Sequence, residues 1–343
     1  MPRKTQYNII TNPELIKQIN PKNTQLMTDY IIYLKSVQRA EKTIESYRND
    51  LEIFFCWCIT NAKNKFFVDL TKRDIISFQN FLLYTNNNSP ARVRRLKATL
   101  SSLSNYIENI LDDEPEYKSF RNIIRKVENP INQTVREKTV FEDEDLQKLL
   151  DMLVEKKKYQ QACLVALCMC SGRRKSELVR FKVDYFDDKN IIYGSLYKTP
   201  EKIKTKGRGK GKFLYAYTLI RGFKQYFDLW MTERESLGIS SEWLFVSCRD
   251  NVYSQMSVES LNGYAETYSK MLEKEFYWHS LRHYFTTHLS KAGIPNNIIQ
   301  EIVGWESADM CNIYIDTVTD TKLAEYFDEN GIKQVGNATL SDL

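Results

Sequence analysis

Histidine is nearly missing from this chain: 3 occur among 343 residues, all between positions 279 and 288. Cysteine numbers 7, an odd count, with no CxxC pair and no histidine at zinc-ligand spacing beside any of them. Cys56 and Cys58 lie in FFCWC, and Cys163, Cys168 and Cys170 in ACLVALCMC. These apolar runs read as core carrying reduced thiols, so neither a disulfide framework nor a structural metal is expected. No apolar run reaches the length of a bilayer-crossing helix. The opening MPRKTQYNIITNPE lacks the apolar core of a secretory leader, and the expected location is cytoplasmic, without a membrane. No internal repeat or low-complexity tract is present. Net charge is only +5, a mild basic balance that permits a polyanionic partner without requiring one.

What is present is length and helical periodicity. Hydrophobic residues make up 42% of the sequence, enough for proper cores, and the length suggests two domains. Residues 1–22 are polar and read as an extended arm. TQLMTDYIIYLKSV then sets Leu26, Tyr30, Ile31 and Leu34 on one helical face, and Ile44, Tyr47, Leu51, Phe54 and Phe55 repeat the pattern. A third helix opens at Thr71 with Asp74 at the capping-box position, and a fourth at Ser89 with Pro90 following. A short fifth is expected around Tyr117–Val127. The stretch Asn129–Thr139 is polar, contains Pro130 and reads as a linker. Beyond it come an acid-led helix, a buried helix and then β-rich segments near NIIYGSLY and GKFLYAYTL. Helices return over 220–230 and 257–274. The expected fold is mainly α: an N-terminal helical bundle, then a mixed α/β domain, mostly helical with a small antiparallel sheet.

Charge is unevenly spread. Arg92, Arg94, Arg95 and Lys97 fall within six residues of one helix, either a solvated face or a set of phosphate contacts. SGRRKSEL places Arg173 and Arg174 after a glycine turn. KIKTKGRGKGKF alternates Lys202, Lys204, Lys206, Arg208, Lys210 and Lys212 with small residues between two strand-like runs. It is either an exposed polar loop or a basic hairpin reaching toward phosphate. HSLRHYFTTHL sets His279 and Arg282 three apart on one helix face. In EIVGWESADMCNIYID, Trp305 follows a helix-ending glycine and Tyr314 follows a short polar interval.

The order SGRR with Glu177, lysine-bearing hairpin, HSLR, GW and late tyrosine resembles the tyrosine recombinase (phage integrase) family over residues 140–320. The helical half resembles the family's core-binding domain. The resemblance implies a core-type DNA-binding domain at 23–128, a linker at 129–139, a catalytic domain at 140–320 and a tail at 321–343, docked in cis or passed to a neighbour. It implies that the two domains clamp duplex DNA. Arg174 is similar to the family's first catalytic arginine, with Glu177 its acidic neighbour. An apolar residue more often precedes that arginine, so Arg173 also comes into question. Lys206 resembles the hairpin lysine, with Lys204 and Lys210 as alternatives; with Arg208, those two are also expected to bind DNA. His279 and Arg282 look like the HxxR pair, Trp305 falls where members have His or Trp, and Tyr314 resembles the nucleophile.

Phosphodiester attack spreads negative charge over non-bridging oxygens, which guanidiniums match in charge and geometry. The implied function is site-specific recombination through a 3′-phosphotyrosyl intermediate, with Lys206 as general acid, His279 as general base and no metal or other cofactor. The implied partners are double-stranded DNA and three further copies, a tetramer on two sites formed from a monomer in solution. With an arm of some 22 residues, binding to core sites alone is expected. The alternatives are a regulator that binds DNA without cutting it and a type IB topoisomerase.

Overall fold

The computed structural model describes residues 10–131, 141–205 and 212–305, and the backbone of 327–328 and 331–332. They fall into two compact units, one on either side of residues 132–140.

The N-terminal unit comprises α1 (Pro13–Lys17), α2 (Pro21–Ser36), α3 (Glu41–Asn61), α4 (Lys72–Asn80) and α5 (Pro90–Ile110). Local signals set most of the helix starts. The Thr71 hydroxyl and the Asp74 carboxylate close a reciprocal capping box on α4, and Ser89 caps α5 with Pro90 in its first turn. Apolar faces then meet in a core where Tyr30, Phe54, Phe55, Phe78 and Leu103 are fully buried. Each such side chain contributes about 2 kcal/mol through removal from water. Two expectations are corrected. In the described part of the expected arm, residues 10–22, Asn12 and Asn20 instead cap α1 and α2, whose opening prolines are Pro13 and Pro21. Those prolines start helices because a first-turn residue needs no N–H donor. Around residues 117–127 only a single 3₁₀ turn forms, Ile124–Lys126. There the Asn122 carboxamide accepts from the Ile124 amide at 3.0 Å and donates to Asn105 at 2.8 Å, so the side chain replaces a helical bond.

The C-terminal unit is built on α7 (Tyr159–Ser171), in which Ala162 through Cys168 are all fully buried. A helix apolar on every side must be surrounded. It packs against α6 (Asp143–Glu155), α9 (Lys224–Ser236) and α11 (Trp278–Lys291). Between α7 and α9 lie α8 (Lys175–Leu178) and a three-stranded antiparallel sheet of β1 (Ile191–Ile192), β2 (Leu196–Lys198) and β5 (Tyr217–Leu219), with Tyr197 opposite Thr218. The pair β3 (Ile203–Lys204) and β4 (Phe213–Leu214) carries the basic loop between its ends. A hairpin absent from the sequence reading joins β6 (Val246–Arg249) to β7 (Val252–Gln255) through Asp250 and Asn251, both at positive φ. That two-residue turn suits the twist of paired strands. Then follow α10 (Ser260–Leu272), α11, α12 (Asn296–Val303) and the short pair β8 (Phe327–Asp328) and β9 (Gly331–Ile332). No helix among the described residues is long and apolar enough to cross a membrane.

Candidate active site

The C-terminus of α7 sets the site. Its cap, Gly172, stands at φ +59, and a Cβ there would lie 2.4 Å from Cδ1 of Phe285 on α11. Both the left-handed backbone and the approach of the ring require glycine. Gly172→Ala is therefore expected to lower unfolding stability by roughly 2–4 kcal/mol, from backbone strain plus overpacking, as read by chemical denaturation.

After this turn the two arginines part. Arg174 is the N-cap of α8; its amide donates to Glu177 Oε2 at 3.3 Å and its Nη1 to Oε1 at 3.0 Å. Its side chain keeps 29% of its exposure, whereas the Glu177 carboxylate is buried. Arg173 points inward and is 1% exposed. Its Nη2 donates to the carbonyls of Tyr215, at 2.8 Å, and Ile302, at 2.7 Å.

The first two turns of α11 supply His279 and Arg282. Arg282 is fully buried, its Nη1 donating to the Gly172 carbonyl and its Nη2 to that of Val303, both at 2.8 Å. Its guanidinium also lies 5.6 Å from the centre of the Trp305 ring. His279 is open to solvent on one side and meets His283 edge-on at 5.0 Å. Burial of its inner side, then the positive charges of Arg282 and Arg174, hold the imidazole below the usual histidine range. Trp305 is buried just past Gly304, whose φ of +72 ends α12. The structure thus brings Arg174, Glu177, His279, Arg282 and Trp305 together from three separate stretches of chain. Lys204 lies exposed on β3, its carbonyl taking a bond from Arg180. Lys206, Arg208, Lys210 and Tyr314 lie outside the described residues, as do most of the expected linker and tail.

The basic run on α5 does not behave as one group. Lys97 is buried, and its ammonium donates to Gln79 and to the carbonyls of Val127 and Glu128, at 2.8 to 2.9 Å. It fastens the end of the unit instead of facing outward. Arg92, Arg94 and Arg95 reach the surface. Arg92 pairs at 2.7 Å with the buried carboxylate of Asp50 on α3, which also accepts from the Thr99 hydroxyl at 3.0 Å and lies 3.9 Å from Arg95. Asp50 was missed in the sequence because it sits on another helix, where it reads as an ordinary exposed acid. Among the described residues, no group of three or more His, Cys, Asp or Glu is placed to hold a metal ion.

Comparison with known proteins gives this arrangement its context. The fold is shared with the XerH recombinase bound to a palindromic difH substrate (TM-score 0.62, 21% identity, covering 82% of this chain and 78% of that one). It is shared equally with the Tn1549 transposon integrase in complex with transposon right end DNA (TM-score 0.63, 16% identity, 88% and 98% covered). In sequence, residues 139–320 match the phage integrase family and residues 26–116 its N-terminal SAM-like domain. A prophage-derived recombinase-like protein of Bacillus subtilis, YomM, is 30% identical over 242 residues, 70% of each chain. The tyrosine recombinase XerH of Helicobacter pylori is 24% identical over 72% of this chain and 68% of its own. The chain belongs to the phage integrase family, the tyrosine recombinases, and is a site-specific recombinase.

Proposed function

We propose that the chain cuts and rejoins double-stranded DNA through a covalent phosphotyrosyl intermediate formed on Tyr314. The Tyr314 oxygen attacks the scissile phosphorus, a P–O bond forms, and the bond to the 5′ oxygen breaks, leaving a 3′-phosphotyrosine and a free 5′-hydroxyl. His279 takes the phenolic proton and Lys206 gives one to the departing oxygen. Arg174 and Arg282, with the Trp305 indole, stabilise the charge gathering on the phosphoryl oxygens, and Glu177 steadies Arg174. Because the phosphodiester energy is conserved in the new ester, a second 5′-hydroxyl reverses the step without a nucleotide cofactor. The observation that carries this reading is the meeting of Arg174, His279, Arg282 and Trp305 at the end of α7.

In this reading residues 23–128 form the core-type DNA-binding domain, with Arg92, Arg94 and Arg95 on phosphate. Residues 129–139 link it to the catalytic domain at 140–320. Lys204, Arg208 and Lys210 contact DNA beside the cut, and 321–343 form a tail, docked in cis or passed to a neighbour, in a tetramer that assembles on two sites in the cytoplasm. The test uses duplex selected by the protein from a random-sequence pool, nicked beside the cut so that the short fragment bearing the free 5′-hydroxyl diffuses away. A protein–DNA adduct that survives SDS is expected. Tight selective binding with no adduct identifies a regulator, and relaxation of supercoiled plasmid without exchange between two sites identifies a topoisomerase.

The environment of His279 fixes a pH dependence. A base must be neutral, and burial with two neighbouring cations disfavours the protonated ring. Adduct formation is therefore expected to stay level as pH falls through the ordinary histidine value of about 6.5, and to decline only below it. His279→Gln should be slower by about 10²-fold and lose that acid limb, measured as single-turnover rates against pH.

A further inference from the structure

We propose that Arg173 is a positioning residue that holds the C-terminal turn of α12, and through it Trp305, against Arg282, one of the two candidate phosphate-binding arginines. The inference rests on the recombinase reading above and extends it to a residue outside the reacting set.

Arg173 and Arg282 grip consecutive carbonyls of one helix end. Arg173 Nη2 bonds Ile302 at 2.7 Å, and Arg282 Nη2 bonds Val303 at 2.8 Å. The last carbonyls of a helix carry partial negative charge and lack intrahelical partners, so cations are favoured there. Gly304 follows at once, then Trp305, whose amide closes on Gln300 at 3.0 Å; Tyr314 is nine residues further on. The same Arg173 nitrogen reaches the Tyr215 carbonyl between β4 and β5, so one guanidinium ties the α7–α8 turn to the strand after the basic loop and to α12.

This is not how a chain gains stability at low cost. Burying a guanidinium carries a large desolvation penalty. Arg173 Nε and Nη1 make no hydrogen bond, although Glu177 Oε2 stands 3.9 Å from Nη1. An apolar side chain would fill the space without unmet donors of its own, though it would leave the Ile302 and Tyr215 carbonyls without this partner. What it would lose is the hold on Ile302 and Tyr215. Glu177, shared between Arg173 and Arg174, keeps that hold in register with the arginine at the surface.

Arg173→Met in the full chain is the test, with the nicked selected duplex as probe. Single-turnover adduct formation is expected to slow by about 30- to 100-fold, as for a misplaced reacting group. DNA affinity should stay within about twofold, because Arg173 is spent on two backbone carbonyls and lies outside the phosphate-binding set. Hydrogen exchange across 296–305 should quicken by about tenfold while 160–170 stays protected. Arg173→Lys keeps the charge and one carbonyl bond, and should recover the rate to within about tenfold of wild type. A wild-type cleavage rate in Arg173→Met overturns the proposal, and so does slow cleavage with unchanged exchange over 296–305. Should the methionine variant fail to fold, the lysine variant decides: wild-type rate and exchange there also overturn it. If the wild-type protein forms no adduct, the recombinase reading falls, and exchange over 296–305 still decides whether Arg173 holds α12.

Discussion

Tyr314→Phe is expected to abolish the SDS-resistant adduct, a loss of about 10⁴-fold or more in cleavage, while DNA affinity stays within about twofold. The change deletes one oxygen and nothing else. A phenol with a pKa of about 10 is a poor nucleophile at neutral pH and reacts only beside a base and a neutralised phosphate. The chain has 20 tyrosines besides Tyr314, and that requirement counts against those whose hydroxyls are buried or already engaged. Tyr284, for example, sits on α11 only five residues from His279 but donates its hydroxyl to Asp143 at 2.8 Å. Burial, then that hydrogen bond, push its pKa far up, which unfits it for attack. Tyr268 is fully buried, and burial raises it likewise. Digestion of the adduct and mapping of the linked peptide provide the check. DNA recovered on any peptide but the one containing Tyr314, or an adduct persisting in the variant, would sink the assignment.

Features written in adjacent residues were legible in the sequence. Thr71 with Asp74, and Ser89 with Pro90, announce helix starts within four positions, and the structure caps α4 and α5 there. The uninterrupted apolar run in α7 declares a helix enclosed by others. Recognition of the candidate site depended on order along the chain, since no single motif decides anything. What could not be read is any partnership across helices. Asp50 and Arg92 are 42 positions apart and meet at 2.7 Å, so the basic run on α5 has an acid that the local sequence lacks. Lys97 follows its neighbours in charge and not in direction, because helical rotation turns it toward Gln79 and the carbonyls of 127 and 128. Arg173 and Arg174 differ in the same way. Adjacent in sequence, they are sent to opposite surroundings by the turn at Gly172, a choice that the letters RR cannot express.

Arg282→Lys is expected to slow adduct formation by about 10²- to 10³-fold, the cost of removing one preorganised donor group from developing charge. Charge is conserved in this variant, so the loss isolates geometry. The Arg282 guanidinium spans from the Gly172 carbonyl to the Val303 carbonyl, two bonds of 2.8 Å that fix its plane, with the Trp305 ring alongside. An ammonium is a point donor on a flexible stem and cannot bridge both carbonyls while presenting a planar fork to phosphate. Arg282→Ala is the poorer experiment. It leaves two buried carbonyls unmet, costing roughly 2–6 kcal/mol, so lost activity would be confounded with lost fold. The lysine variant should bind DNA with near-wild-type affinity and unfold cooperatively, because a cation still occupies the pocket between α7 and α12. A rate within threefold of wild type would mean that the guanidinium at this position is scaffolding. Arg174, the arginine left at the surface, would then carry the phosphate alone, and the pairing on which the mechanism depends would have to be abandoned.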